Sequence, residues 1–195
     1  MSRPRFNPLS AAAVVLTLLV GVAAVCYGRW ARPLLDADTA AAAGRREDAI
    51  TEYRRAEERF GRFAVARLLF AREHATAVAN QLSLLYHAGD YNGVIDKAAA
   101  SPSAAAPHFW AGLALMQLGM AEGREDAQLV WFSRAEEELK LALEAAPHDW
   151  DTKVDYEIAA RVVAEMRRQP KRRIENPLQL LRPQPAPGTP PRKVG

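Results

Sequence analysis

The chain has 195 residues, with 26 Lys and Arg against 23 Asp and Glu, which leaves room for one membrane helix and a single domain of about 130 residues. The basic excess is uneven: residues 1–36 hold four Arg and one Asp, residues 169–195 hold six cations and one Glu, and residues 37–168 hold 16 cations against 21 acids. A mildly acidic middle argues against nucleic acid as a partner, while the basic flanks suit lipid headgroups or an acidic protein; the lone Cys26 excludes an internal disulfide framework or a cysteine zinc site.

A basic tail, residues 1–8, carries Arg3 and Arg5 and leads into Leu9–Gly28, which has no charge. Twenty helical residues at 1.5 Å each give about 30 Å, the depth of a hydrocarbon core, so residues 9–28 are predicted to form a transmembrane anchor. Tyr27 and Trp30 fall where amphipathic rings favour the membrane interface, and Arg29 and Arg32 bracket the far side. The same stretch also reads as a cleaved signal peptide, with Gly21-Val22-Ala23 as the cleavage motif. A lipoprotein signal at Cys26 is disfavoured by Val25 before it. Two Arg precede the span and two follow it closely, so charge counting leaves its orientation open. A short basic tail before an apolar run has the form of a bacterial signal anchor, which puts the domain in the periplasm and the span in the inner membrane.

Residues 37–168 show a recurring pattern of helix, Gly-containing turn and second helix. In the first occurrence Gly44 leads to Ala49, Tyr53 and Ala56. In the second, Leu84-Leu85-Tyr86 leads through Gly89-Asp90-Tyr91 to Val94-Ile95. In the third, Trp110, Gly112, Leu115 and Gly119 precede Ala135, Leu139, Ala142 and Pro147, whose spacing follows the second helix of a tetratricopeptide (TPR) repeat. Small residues let antiparallel helices approach, a large one fills the groove, and Gly permits the positive φ of the turn. About eleven extra residues separate the first and second repeats, and a similar insertion lies between Gly119 and Ala135. Asp149–Arg168 reads as an amphipathic capping helix, with Val154, Ile158, Val162 and Met166 in step. Residues 169–195, rich in Pro and Arg, are predicted to be a disordered tail, soluble by default and able to bind a partner.

The fold class expected is therefore all-α, an anchor followed by an irregular TPR-like solenoid of about three helix pairs and a cap. Its concave face maps to Ala79, Ser83, Tyr86 and His87 in the second repeat, and to Phe109, Leu113, Met116 and Gln117 in the third. An apolar face with Tyr, Phe and Met suits a peptide or helix; the competing reading is that some of these residues pack internally or under the cap. A carboxylate clamp of the chaperone-binding kind is absent, because Asn80 matches one of its positions but Leu34, Asp38, Ala106 and Trp110 occupy others.

Signals for chemistry are few. His148, Asp149 and Asp151 stand at a helix start, where Asp is a cap and early acids favour the dipole. Glu136-Glu137-Glu138 point in different directions around a helix and read as a solvated face. His74, His87, His108 and His148 show no ligand spacing, and no phosphate loop or nucleophile motif appears. No enzyme activity, metal or cofactor is expected.

The anchor, the degenerate repeats, the Pro147-His148-Asp149-Trp150-Asp151 junction with Asp155-Tyr156-Glu157 after it, and the Pro-rich end resemble a group of small bacterial TPR accessory proteins. These are encoded beside MoxR-type ATPases and von Willebrand A-domain proteins and include the MxaK type of methanol dehydrogenase clusters. The resemblance implies a non-enzymatic envelope scaffold that helps assemble or mature another protein, with metal insertion into a periplasmic enzyme as one such task and MoxR or A-domain proteins as partners. Two alternatives stay open: a TPR protein of translocons or cytochrome biogenesis, and an envelope enzyme subunit with a site near His148.

Overall fold

The 20-residue apolar run and the helix that follows it are one continuous element. In a computed structural model, which describes residues 8–168, α1 (Pro8–Ala42) is a single 35-residue helix. It is followed by α2 (Arg46–Gly61), α3 (Ala64–Leu69), α4 (Ala71–His87), α5 (Tyr91–Ala100), α6 (Ala105–Ala121), α7 (Glu125–Ala145) and α8 (Trp150–Arg168). No strand occurs among the described residues. The basic start of the N-terminal tail (residues 1–7) and the Pro/Arg-rich tail lie outside them. The chain divides after Gln81, within α4, into two compact units.

In the first unit, α1 is exposed on every side from residue 12 to residue 29. Its apolar window has a mean hydropathy of 1.9, so the helix is long and apolar enough to cross a membrane. The Thr17 hydroxyl donates to the Ala13 carbonyl at 2.9 Å, which satisfies it within the helix. Packing starts at Ala31, ahead of the residue 37 expected for the domain. Ala31, Pro33, Ala37 and Ala40 are buried on α1, and Ala49, Tyr53, Ala56 and Phe60 on α2, each set near a helical period. Alanine on both faces lets the backbones come close. The two helices run antiparallel, since Tyr53 meets Asp38 and Arg59 meets Arg29.

Between α1 and α2 the chain turns on Gly44 at φ 72°. Arg45 and Gly44 donate back to Ala40 and Ala41, a helix stop that favours glycine. Pro33 cannot supply the N–H that the Arg29 carbonyl would receive in a regular helix. That carbonyl instead accepts from Arg59 Nη1 at 3.2 Å. Tyr53, only 3% exposed, joins three helices. Its hydroxyl donates to Asp38 Oδ1 at 2.6 Å and accepts from Asn80 Nδ2 at 3.1 Å, while Gln81 Nε2 donates to the Ile50 carbonyl on α2. α3 lies between α2 and α4, and the rings of Phe60, Phe63 and Phe70 beside it gather against Tyr27 and Trp30 of α1.

The second unit contains the end of α4 and all of α5 to α8. Gly89, at φ 78°, ends α4 as Gly44 ends α1, and Asp90 caps α5 by accepting from the Gly93 N–H at 2.9 Å. The segment between Gly119 and Ala135 is nearly all helical: α6 has 17 residues and α7 has 21, leaving only residues 122–124 as the connection. Glycine decides how closely this pair packs. A Cβ on Gly112 would lie 2.6 Å from Leu139 Cγ, and one on Gly119 would lie 3.2 Å from Trp131 Cβ. Those pairings also make α6 and α7 antiparallel. Gln128 Nε2 donates across the pair to the Gly119 carbonyl at 3.0 Å.

α8 packs on α7 and touches α6. Ile158, Ala159, Val162, Val163 and Met166 join Leu115, Met116, Phe132 and Leu139 in one buried cluster. Asp149 starts α8, accepting from the Asp151 N–H at 3.1 Å and from the Thr152 hydroxyl at 2.9 Å.

Candidate functional site

The second unit brings Ser83, Tyr86 and His87 on α4 into the same body as Phe109, Leu113, Met116 and Gln117 on α6, whereas Ala79 belongs to the first unit. Met116 is 9% exposed and sits in the buried cluster, against which Phe109 also packs. Internal packing therefore claims Met116 entirely and Phe109 in part. Ser83, Tyr86, Leu113 and Gln117 are half-buried, and His87 is exposed.

Tyr86 is the centre of what remains. Its hydroxyl accepts from Gln117 Nε2 at 3.0 Å, and its ring lies 5.4 Å from Trp110, 5.5 Å from Tyr91 and 5.6 Å from His87. Phe109 meets Trp110 edge-on at 5.4 Å, the geometry favoured by ring quadrupoles. Burial pushes the Tyr86 hydroxyl above its ordinary range, the Gln117 bond opposes this, and the Tyr91 and Asp155 charges add to it. Asp155 on α8 is itself raised above the ordinary carboxylate range, first by burial and then by the charges of Asp151 and Asp149. The result is a half-buried cluster of rings around Tyr86 that includes the Gln117 amide and feels the charge of Asp155.

Trp110, Tyr91 and Asp155 were not among the residues expected at this face. Trp110 shares a helical face with Leu113 and Gln117, three and seven residues on, and that spacing was readable. Asp155, between Val154 and Ile158 on an otherwise apolar stripe, was the second available signal.

Another arrangement was hidden in the sequence. Glu138 Oε2 lies 2.7 Å from His108 Nδ1, and Ser103 Oγ lies 2.9 Å from His108 Nε2. The order is that of nucleophile, base and orienting carboxylate. Ser103 is exposed and stands in the α5–α6 connection, so these bonds pin that connection to α7. Five and thirty residues separate the members, and only the tertiary fold unites them.

His148, Asp149 and Asp151 form the start of α8, with Asp149 as its cap. Among the described residues no group of three or more His, Cys, Asp or Glu is placed to hold a metal ion. Asp38 and Asn80, at clamp-like positions, are bonded to Tyr53.

No family model, curated protein or solved structure matches the chain.

Proposed function

We propose that this protein is a membrane-anchored scaffold of TPR-like build that holds a protein partner on the face centred on Tyr86 and Trp110. The observation that carries the reading is the cluster of partly exposed rings with hydrogen-bonding edges, the composition that concentrates binding energy at protein interfaces. Antiparallel helix pairs closed by small residues, with one more helix as a cap, support the TPR-like part. The partner presents an apolar or aromatic side chain to Trp110 and a Lys or Arg to Asp155, where a cation would favour the charged carboxylate and offset its upward shift.

In this reading the exposed half of α1 is a retained anchor in the bacterial inner membrane with the helical domain in the periplasm, and the task is assembly or maturation of another envelope protein, as the similarity to MoxR-associated accessory proteins implies. A photocrosslinking residue placed at His87 or Gln117 in membranes should trap one protein that the same residue at Glu144 does not. Equal trapping at all three positions would remove the assignment.

A hydrolase reading draws on the Ser103–His108–Glu138 line alone. Hydrolysis of an activated ester that Ser103→Ala leaves unchanged would eliminate it.

A further inference from the structure

α3 is short, and most of it faces away from the protein. Phe63 is 54% exposed, Val65 67%, Leu68 80% and Leu69 69%, four large apolar side chains within seven residues. A water-facing loop has no use for them, and surface patches of this kind mark contacts with another phase or molecule. The segment itself is basic: from Arg59 to Arg72 there are four arginines and no carboxylate, with Glu58 and Glu73 just outside it. Arg55, Glu58, Arg59 and Arg62 line an open recess of about 440 Å³ next to the patch.

The position of the patch along α1 is fixed at both ends. Phe63 packs on Trp30 with ring centres 6.4 Å apart, Phe70 stacks on Tyr27 at 5.5 Å and on Trp30 at 6.1 Å, and the Tyr27 hydroxyl donates to Glu73 at 2.6 Å. α3 is therefore level with residues 27–30. This is the same turn at which α1 passes from exposed on all sides to packed in the domain.

We propose that Phe63–Leu69 is a second membrane contact, lying in the headgroup layer of an anionic bilayer with its apolar side chains at the acyl boundary and the flanking arginines against lipid phosphates. The proposal rests on the reading of α1 as a retained anchor. The occupant is a bilayer because the patch is continuous with the end of the apolar helix, and because aromatic and Arg side chains together favour the interface. The extra residues between the first two repeats thus seat the first unit on the membrane.

Lipid quenching of a fluorophore on single cysteines separates this proposal from the reading it rests on. The full chain is placed, one copy per nanodisc, in phosphatidylcholine with phosphatidylglycerol, and labelled with an environment-sensitive dye at native Cys26, at Leu68→Cys or at Thr51→Cys, the last two in a Cys26→Ser background. Cys26 reports the anchor, Leu68 reports α3, and exposed Thr51 on α2 reports water. Doxyl-lipid quenching at Cys26 and Leu68 but not Thr51, with blue-shifted emission at Leu68, is expected. Quenching at Cys26 with Leu68 behaving as Thr51 overturns the α3 contact and leaves the anchor standing. No quenching at Cys26 overturns both. A blue shift at Leu68 without lipid quenching places the patch against protein and also overturns the proposal. Arg62→Glu with Arg67→Glu should reduce Leu68 quenching while leaving Cys26 unchanged, and unaltered Leu68 quenching would remove the arginine–phosphate part.

Discussion

Replacing Gly112 by alanine tests how closely α6 and α7 approach. The new methyl would stand 2.6 Å from Leu139 Cγ, 2.9 Å from Leu139 Cδ2 and 3.4 Å from the Ala135 carbonyl, whereas carbon atoms rest at about 3.5–4.0 Å. Leu139 is fully buried in the α6–α7–α8 cluster, so a shift of its side chain must displace core neighbours. Alanine in a helix interior is worth about 1 kcal/mol over glycine, and overpacking a filled core costs about 1–3 kcal/mol. With the clash near the upper end of that range, the net loss is about 1–2 kcal/mol. Unfolding of the full chain in detergent, followed by circular dichroism, reads the difference, and Gly61→Ala is the control because a Cβ there meets nothing within 4 Å. Gly61→Ala should be neutral or slightly stabilising. Leu139→Ala in the Gly112→Ala background should cost less than in the wild type, because the truncation frees space for the methyl. A Gly112→Ala protein as stable as the wild type, or strictly additive losses in the double variant, would refute the close approach.

Three further outcomes are expected. Tyr53→Phe removes the donor to Asp38 and should cost about 1.5–2 kcal/mol. The Tyr53 hydroxyl is pushed up from 10.0 to about 12, chiefly by burial and then by the Asp38 bond; its contribution is complete below pH 10 and is lost as pH rises through about 12. Alkaline unfolding titrations should show that decline in the wild type and a shallower one in Tyr53→Phe. Arg59→Ala should destabilise less in a Pro33→Ala background, because the restored N–H then serves the Arg29 carbonyl, and equal losses in a double-mutant cycle would disprove the substitution of one donor for the other. Asp155→Asn should stabilise at pH 7: the wild-type carboxyl is raised, so its favourable contribution is present below the unfolded value of 3.8 and lost as pH rises through the folded one. The advantage of Asp155→Asn should shrink as the pH is lowered through that range, and a pH-independent difference would contradict it.

The helices were legible where one physical signal dominated. The period of Ala49, Tyr53 and Ala56 marked the buried face of α2, and Gly44 and Gly89 marked the turns because positive φ excludes most other residues. The segment between Gly119 and Ala135 reads as an insertion when fixed repeat spacing is assumed, yet all but residues 122–124 of it is helix. α3 gave no periodic signal, as its apolar residues do not face a core. At the candidate site, Tyr86 and Gln117 meet across two helices through a hydrogen bond, while Met116 could not be told from a surface residue because burial there depends on α8. The Ser103–His108–Glu138 contacts cross three segments and leave no local trace.

The unbroken course of α1 bears on how the first unit would respond to its surroundings. At 1.5 Å per residue its 35 residues form a rod of about 50 Å, with no loop between the apolar half and the half that Ala37 and Ala40 fasten to α2. Its internal proline, Pro33, is bridged at the Arg29 carbonyl by Arg59. With the apolar half seated in a bilayer, an inclination forced on it by a thinner or thicker hydrocarbon layer would be passed along the same helix to those packed on it. The rod is then a lever, and membrane thickness sets the pitch at which the first unit is carried.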